Sequence, residues 1–336
     1  MAGGDDRSLR AAALDELRRV IPFEAYAWLL TDPESSVGCS PLAEAPCLDE
    51  LPALIRLKYL TAVNRWTSLP AGQARRLWDA TGGDLSRSLV WRELLSRYAV
   101  SDMLSVRLAD QHGCWGFLDL WRIGSGQFSD MEEHFLSSVS GHLANLLRSV
   151  QARTFTHPNG VAAALIDGPV VLVLAPTVQV RGQTEQTDAH LRMLVPAESG
   201  RAPVPASAYN VAAQLLAIEG GVDDNPAFAR VHLTGGRWMT LRAARIDGPG
   251  PMAERDIAVT VQGSTSRERL GVFTRACGLT PRETQLVGHL AKGCDTRDLA
   301  RLMSLSEHTV QDHLKAIFGK TGSRSRGDLL SRGLGA

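Results

Sequence analysis

Apolar positions recur at helical spacing over several stretches of this chain, and the sharpest pattern lies near its C-terminal end. Leu286, Val287, Leu290 and Ala291 fall on one face of a 3.6-residue wheel. Before them, Thr280-Pro281-Arg282-Glu283 supplies a threonine cap, a proline at the first helical position and a glutamate three residues on, the reciprocal capping pattern. Gly293 follows as a left-handed stop. A second short helix is predicted over 296–303, capped by Asp295 or Thr296, with Leu299, Ala300 and Met303 inward. Ala300 sits where two crossing helices need a small side chain. The turn Ser304-Leu305-Ser306 opens a third helix, with Leu305 positioned to staple onto Val310. On that helix Val310, Leu314, Ile317 and Phe318 share one side, and His308, Gln311, Asp312, Lys315 and Gly319 share the other. Ser325-Arg326-Gly327-Asp328 then caps a fourth helix carrying Leu329 and Leu330.

The preceding residues mix the two periods. A helix is predicted over 7–20, with Leu9, Ala13, Leu17 and Val20 on or near one face. Residues 23–30 read as an aromatic-rich strand, and Thr31-Asp32-Pro33-Glu34 turns the chain into a weaker extended stretch ending near Ser40. Helical patterns follow over 48–64, 73–80 and 87–98. The clearest hairpin spans 103–121 across Asp110-Gln111-His112-Gly113. Ser129 caps a long helix over 130–153, whose stripe of Met131, Phe135, Val139, His142, Leu143, Leu146, Leu147 and Val150 suits pairing with a copy of itself. A second unit begins after Gly160. Residues 161–166 and 170–174 form a hairpin across Asp167-Gly168-Pro169, helices follow over 187–194 and 206–218, and a second hairpin joins 228–233 to 238–246 across Gly235-Gly236. Residues 257–261 close that sheet, 196–205 form a proline-rich loop, and 264–278 form a helical linker carrying Leu270 and Phe273.

Chemistry enters first at the polar face of the third predicted helix. Glutamine pairs with the adenine edge, aspartate accepts from the cytosine amino group, and lysine donates to guanine or phosphate. Arg324 and Arg326 are placed to meet backbone phosphates. The formal net charge is zero, yet from Gly278 onward there are nine Lys and Arg against six Asp and Glu, and the remainder is correspondingly acidic. So modest an asymmetry implies moderate affinity per head, strong salt dependence and a need for dimerisation.

Other chemistries lack their signatures. The five cysteines, Cys39, Cys47, Cys114, Cys277 and Cys294, are odd in number and show no C-x-x-C spacing, which fits a reducing cytoplasm. No phosphate-binding loop, nucleophile elbow or zinc motif occurs, so no enzymatic role, cofactor or metal is expected. Asp5-Asp6 reads as a solvated terminus rather than an acidic phosphoacceptor pair, and His112, in a turn, as solvent-facing. The longest apolar run, 161–175, is broken by Asp167, Gly168 and Pro169, so neither a membrane span nor a signal is expected. Tyr26, Trp28, Trp66, Trp91, Trp115 and Trp121 enrich the first unit in aromatics. A ligand pocket between sheet and helices is expected at Tyr26, Trp28 and Trp115, against the alternative that each is core packing.

Leu279 to Glu283, Leu299-Ala300, Ser306 to Val310, His313-Leu314 and Ser323 to Arg326 resemble, in order and spacing, the LuxR-type DNA-binding domain. The resemblance implies that the third helix enters the major groove, that the fourth supports dimer contacts, and that two heads read an inverted repeat in double-stranded DNA. It makes Gln311, Asp312, Lys315 and His308 the base-reading set and Thr309, His313, Lys320, Arg324, Ser325 and Arg326 the phosphate-facing set, over a core of Leu299, Ala300, Met303, Val310, Leu314 and Ile317. Gln311 stands where the family usually has lysine, so the operator cannot be taken from relatives. Residues 7–152, with Trp115-Gly116-Phe117-Leu118-Asp119-Leu120 and Phe128-Ser129-Asp130, resemble a GAF sensor domain, and the second unit resembles a PAS domain through its strand–helix–strand order and Gly236-Arg237-Trp238. The expected fold is α+β: a GAF-like sensor and dimerisation domain over 1–154, a PAS-like domain over 155–263, a linker over 264–277 and an all-α four-helix helix-turn-helix domain over 278–336. The expected function is a cytoplasmic, homodimeric, one-component transcription regulator, working with RNA polymerase and controlled by an unknown small molecule. The alternative keeps DNA binding and makes both N-terminal domains ligandless modules for dimerisation and partner docking.

Overall fold

The computed structural model describes residues 6–155, 170–194, 206–233, 237–248 and 250–335. The first unit runs α1 (Asp6–Val20), β1 (Ala25–Thr31), β2 (Gly38–Glu44), α2 (Leu51–Leu60), β3 (Ala74–Arg76), α3 (Leu77–Ala80), α4 (Leu89–Glu93), β4 (Val100–Asp110), β5 (Gly113–Ile123) and α5 (Asp130–Arg153). Its antiparallel sheet has the order β2-β1-β5-β4-β3. The second unit runs β6 (Val170–Leu174), β7 (Val180–Gln183), α6 (Thr187–Leu194), α7 (Ala206–Glu219), β8 (Phe228–His232), β9 (Trp238–Arg245) and β10 (Ile257–Gly263). Its order is β7-β6-β10-β9-β8, so counted from its own first strand each sheet is arranged alike. Helices α8 (Ser266–Ala276), α9 (Pro281–Leu290), α10 (Thr296–Met303), α11 (Glu307–Thr321) and α12 (Arg326–Leu334) complete an α+β chain.

Strand alternation divides the first sheet between two cores. Trp28, Leu104, Val106, Leu118 and Leu120 pack with Leu14 and Leu17 of α1 and Leu136 and Leu147 of α5. Leu29 and Phe117 face the other way, towards Ile55 and Tyr59 of α2 and the apolar residues of α7. Helix α7 is buried along nearly its whole length, from Ala206 through Gln214 and again at Ala217. It packs on α2 and β2 of the first unit and on β9 and β10 of the second. A helix without a polar face has no stable place except between two layers. Buried ion pairs lock the junction: Arg65 meets Asp223 at 2.5 Å and Arg230 meets Asp32 at 2.6 Å.

Helix α8 is held at both ends. Thr265 and Glu268 form its capping box. Arg230 Nη1 donates to the Glu268 carbonyl at 3.1 Å, and Arg242 pairs with the Glu268 carboxylate. In its middle, Phe273 meets Phe155 edge-on, and Phe155 stacks on Trp238. At its far end Arg275 Nη1 donates to the His112 carbonyl at 3.1 Å, and Arg148 Nη1 to that of Ala276 at 3.3 Å. Helix α12 lies so close that a Cβ at Gly333 would fall 2.7 Å from Leu270 Cδ1.

Several expectations change. Residues 73–80 are a strand and a single helical turn rather than a helix, because Ala74–Arg76 pairs with Val106 to Leu104 along the sheet edge. The 87–98 stretch is broken, with Leu94 out of helical geometry and Ala99 left-handed. The buried face of α1 is Arg10, Leu14 and Leu17, while Val20 is 52% exposed. Arg10 enters the core because Nη1 donates to the carbonyls of Trp28 and Ser40, both at 2.9 Å. Strand β7, too short and polar to stand out in the sequence pattern, pairs with β6. The predicted strand over 161–166, its turn at 167–169, the 196–205 loop and the Gly235-Gly236 turn lie outside the described residues.

Candidate nucleic-acid interface

Each C-terminal helix starts on a side-chain cap. Thr280 and Glu283 form the reciprocal box on α9, Asp295 accepts from the Asp298 amide, Ser306 from that of Thr309 and Ser325 from that of Asp328. Gly293 and Gly322 take the left-handed conformation, and so does Ser304 in the turn between α10 and α11. Leu299, Ala300, Met303, Val310, Leu314 and Ile317 are all buried and fix how α10 crosses α11.

With that side buried, α11 presents His308, Gln311, Asp312 and Lys315 together on its exposed side. His308 Nε2 lies 3.8 Å from Asp312 Oδ2, and the side chains are 88% and 68% exposed. Gln311 Nε2 reaches within 3.5 Å of Thr296 Oγ1, which also accepts from Arg326 Nη2 at 2.6 Å. The phosphate-facing set is more divided than the resemblance implies. Arg324 is exposed, His313 is half-buried, and Thr309 shares a 2.8 Å hydrogen bond with Ser306. The Ser325 hydroxyl is occupied as a cap. The Lys320 ammonium is held by both oxygens of Glu283, at 3.0 and 2.7 Å, bracing α9 to α11. Burial by itself raises the Glu283 carboxyl, but donors from Lys320 and Thr280 outweigh it and hold it below the usual range. Arg282, not singled out from the sequence as a contact, donates to the Met303 carbonyl at the end of α10.

The first unit has a cavity, on the face opposite the expected pocket residues. It measures about 50 Å³ and lies between the sheet, α2 and α7, against Leu29, Lys58, Tyr59, Trp66, Trp121 and Asn210 among others. Tyr26 and Trp28 alternate with the lining residues Ala27 and Leu29, so they point away from it. A register shift in the β4–β5 ladder between Leu108 and Ala109 puts Trp115 on their side as well, where its Nε1 donates to Asp110 at 2.9 Å. Tyr26, Trp28 and Trp115 are therefore not pocket residues, whereas three other aromatics of the unit, Tyr59, Trp66 and Trp121, are.

Among the described residues no group of His, Cys, Asp and Glu is arranged to hold a metal, and no helix is long and apolar enough to cross a membrane. Burial pushes the Cys39 thiol up to about 12 and the Cys47 thiol up to about 11.

Residues 278–332 match the family described as bacterial regulatory proteins of the luxR family. A probable HTH-type transcriptional regulator, GfsR of Streptomyces halstedii, is 36% identical over 95 residues, which cover 27% of this chain and 39% of that relative. Among solved structures, SdiA of Escherichia coli is similar over 99% of this chain and 92% of its own, at 10% identity and a TM-score of 0.32. The VqmA dimer of Vibrio cholerae is similar over 49% and 81%, at 17% identity and a TM-score of 0.20.

Proposed function

We propose that the whole protein is a DNA-binding transcription regulator whose C-terminal residues 278–332, which match the luxR family, form the DNA-binding head and whose N-terminal units control that head. The exposed polar face of α11, set on a capped and closely packed helix pair, carries this reading. Gln311, Asp312, Lys315 and His308 read bases in the major groove. Arg324, Thr309 and His313 meet phosphates directly, while Lys320, Ser325 and Arg326 orient the frame through Glu283, the α12 cap and Thr296. Two heads bind an inverted repeat as a homodimer, in the cytoplasm and in concert with RNA polymerase. The units over 1–154 and 155–263 act as GAF-like and PAS-like sensors, and residues 264–277 transmit their state.

The test is selection of preferred duplexes from random DNA by the full-length protein, followed by anisotropy titrations at fixed salt. Gln311→Ala is expected to weaken the selected duplex by about 1–3 kcal/mol and random DNA far less. Equal affinity of the unaltered protein for selected and random DNA would remove the reading.

A second reading treats the N-terminal units as ligandless modules for dimerisation and partner docking. Their clamped junction, with two buried ion pairs, favours it. Native mass spectra separate the two: a reproducible extra mass on the dimer supports sensing, and a bare dimer supports docking. A redox role for Cys39, Cys47 or Cys114 is disfavoured, because burial raises all three thiols, Cys39 to about 12 and Cys47 to about 11, and so suppresses the thiolate at neutral pH.

A further inference from the structure

We propose that the cavity between the first sheet, α2 and α7 binds a small neutral molecule with an apolar body and one amide-like group, and that Asn210 anchors that group. Both units build the site: Leu29, Trp121 and Tyr59 come from the first, and Asn210 comes from α7 of the second. Asn210 is 1% exposed, and neither its Oδ1 nor its Nδ2 has a hydrogen-bond partner. The indole N–H of Trp121, another lining residue, is buried and unpartnered too. Such groups are costly in a dry interior, and a ligand or water that pairs with them removes the cost.

The charged side chains of the lining are already paired. Lys58 and Asp119 neutralise each other at 3.0 Å, and the second oxygen of Asp119 accepts from Trp66 Nε1 at 2.8 Å and Ser105 Oγ at 2.5 Å. The Tyr59 hydroxyl accepts from the Gly38 amide at 2.9 Å. An anionic ligand would find no unpaired cation on this lining, which selects a neutral one. Asparagine offers a donor beside an acceptor, so its full complement is another amide, lactam or carboxamide. The rest of the lining is apolar. A volume of about 50 Å³ holds only a few waters, so a larger occupant has to displace lining side chains, and one that stays on Asn210 pushes between α2 and α7, where the two units meet.

This deepens the sensor reading above and rests on it only for the effect on DNA. The probes are benzamide, acetophenone and isopropylbenzene, which share a shape and offer donor plus acceptor, acceptor alone, and neither. Thermal unfolding of the full chain is expected to rise most with benzamide, by about 2–4 °C at tenfold its Kd, and least with isopropylbenzene. Asn210→Leu should erase the preference for benzamide and keep the response to isopropylbenzene. Ala43→Phe, which fills the lining from β2 and leaves Asn210 in place, should abolish all three responses and still serves if Asn210→Leu does not fold. Equal responses to the three probes, a preference that survives Asn210→Leu, responses that survive Ala43→Phe, or no response in the unaltered protein each overturns the proposal. No DNA is present in this assay, so its failure is separate from a failure of operator selection.

Discussion

Replacing Asp223 by asparagine tests whether the two N-terminal units are held together by buried charge. Asp223 Oδ2 accepts from Arg65 Nη2 at 2.5 Å, Arg65 Nε at 2.9 Å and Thr67 Oγ1 at 2.7 Å, while Oδ1 accepts from the Asn225 amide at 2.8 Å. The Arg65 and Asp223 side chains are 6% and 5% exposed. Burial by itself pushes the Asp223 carboxyl up, but the donors from Asn225, Thr67 and Arg65 outweigh it and hold it at about 2, below its ordinary 3.8. A carboxyl depressed on folding contributes fully above its unfolded value and loses that contribution as pH falls through its folded value. The pH-dependent part is therefore present above about pH 4, fades towards pH 2, and amounts to about 2–3 kcal/mol. The Arg65 guanidinium that Asp223→Asn leaves behind keeps three neutral acceptors, the Tyr59 carbonyl, the Thr67 hydroxyl at 3.0 Å and Gln214 at 3.4 Å, but no carboxylate. Losing one member of a buried pair costs about 3–5 kcal/mol at neutral pH. Urea unfolding followed by tryptophan fluorescence reads both quantities, and the gap between the two proteins should narrow from pH 5 to pH 3. A loss below about 1 kcal/mol, or a gap that does not change with pH, refutes the clamp.

Three further outcomes are expected. Glu283→Ala removes both the reciprocal cap of α9 and the partner of Lys320, and should lower the stability of the head by about 1–2 kcal/mol in thermal unfolding; no change would show the brace to be idle. Ser304 is left-handed at φ 52°, so Ser304→Gly should raise stability by up to about 1 kcal/mol, and a loss would mean that the hydroxyl matters more than the backbone. His232 is pulled down to about 4 by burial and then by Arg269, so it stays neutral in the fold while the unfolded chain protonates. Its contribution is intact above about pH 6.5 and falls by roughly 2–3 kcal/mol towards pH 4, a slope that His232→Phe should flatten in acid-unfolding curves.

The C-terminal helices were legible because their signals are local. A cap and its glutamate lie three residues apart, and Val310, Leu314 and Ile317 define a face whatever the rest of the chain does. The first unit was less legible because facing there depends on pairing. Nothing in the sequence near Trp115 announces the register shift opposite Leu108 and Ala109, and without it Trp115 would alternate onto the cavity face. Alternation alone would have turned Tyr26 and Trp28 away from Ala27 and Leu29, but not told which face holds the cavity. Arg10 was invisible as a core residue because its partners, the Trp28 and Ser40 carbonyls, are distant in sequence. Residues 206–217 have no charged position, which marks a helix buried on every side.

Helix α8 bears on how a signal can travel. A connector that merely swivels has few contacts, and the head would then be indifferent to what happens upstream. Here α8 is fastened at its start by Arg230 and Arg242, in its middle by the Phe155–Trp238 stack, and at its end by the β4–β5 turn and Arg148. Arg230 also grips Asp32 and Glu34 of the first unit, so a single side chain touches both N-terminal units and the connector. Ligand-driven control needs contacts that differ between two states. The cavity lies against α7, α7 packs on β9, and β9 carries Trp238 and Arg242. If the N-terminal units control the head as proposed, a change that widens the space between α2 and α7 has a contiguous route through β9 to the connector, and no ligand need approach the head.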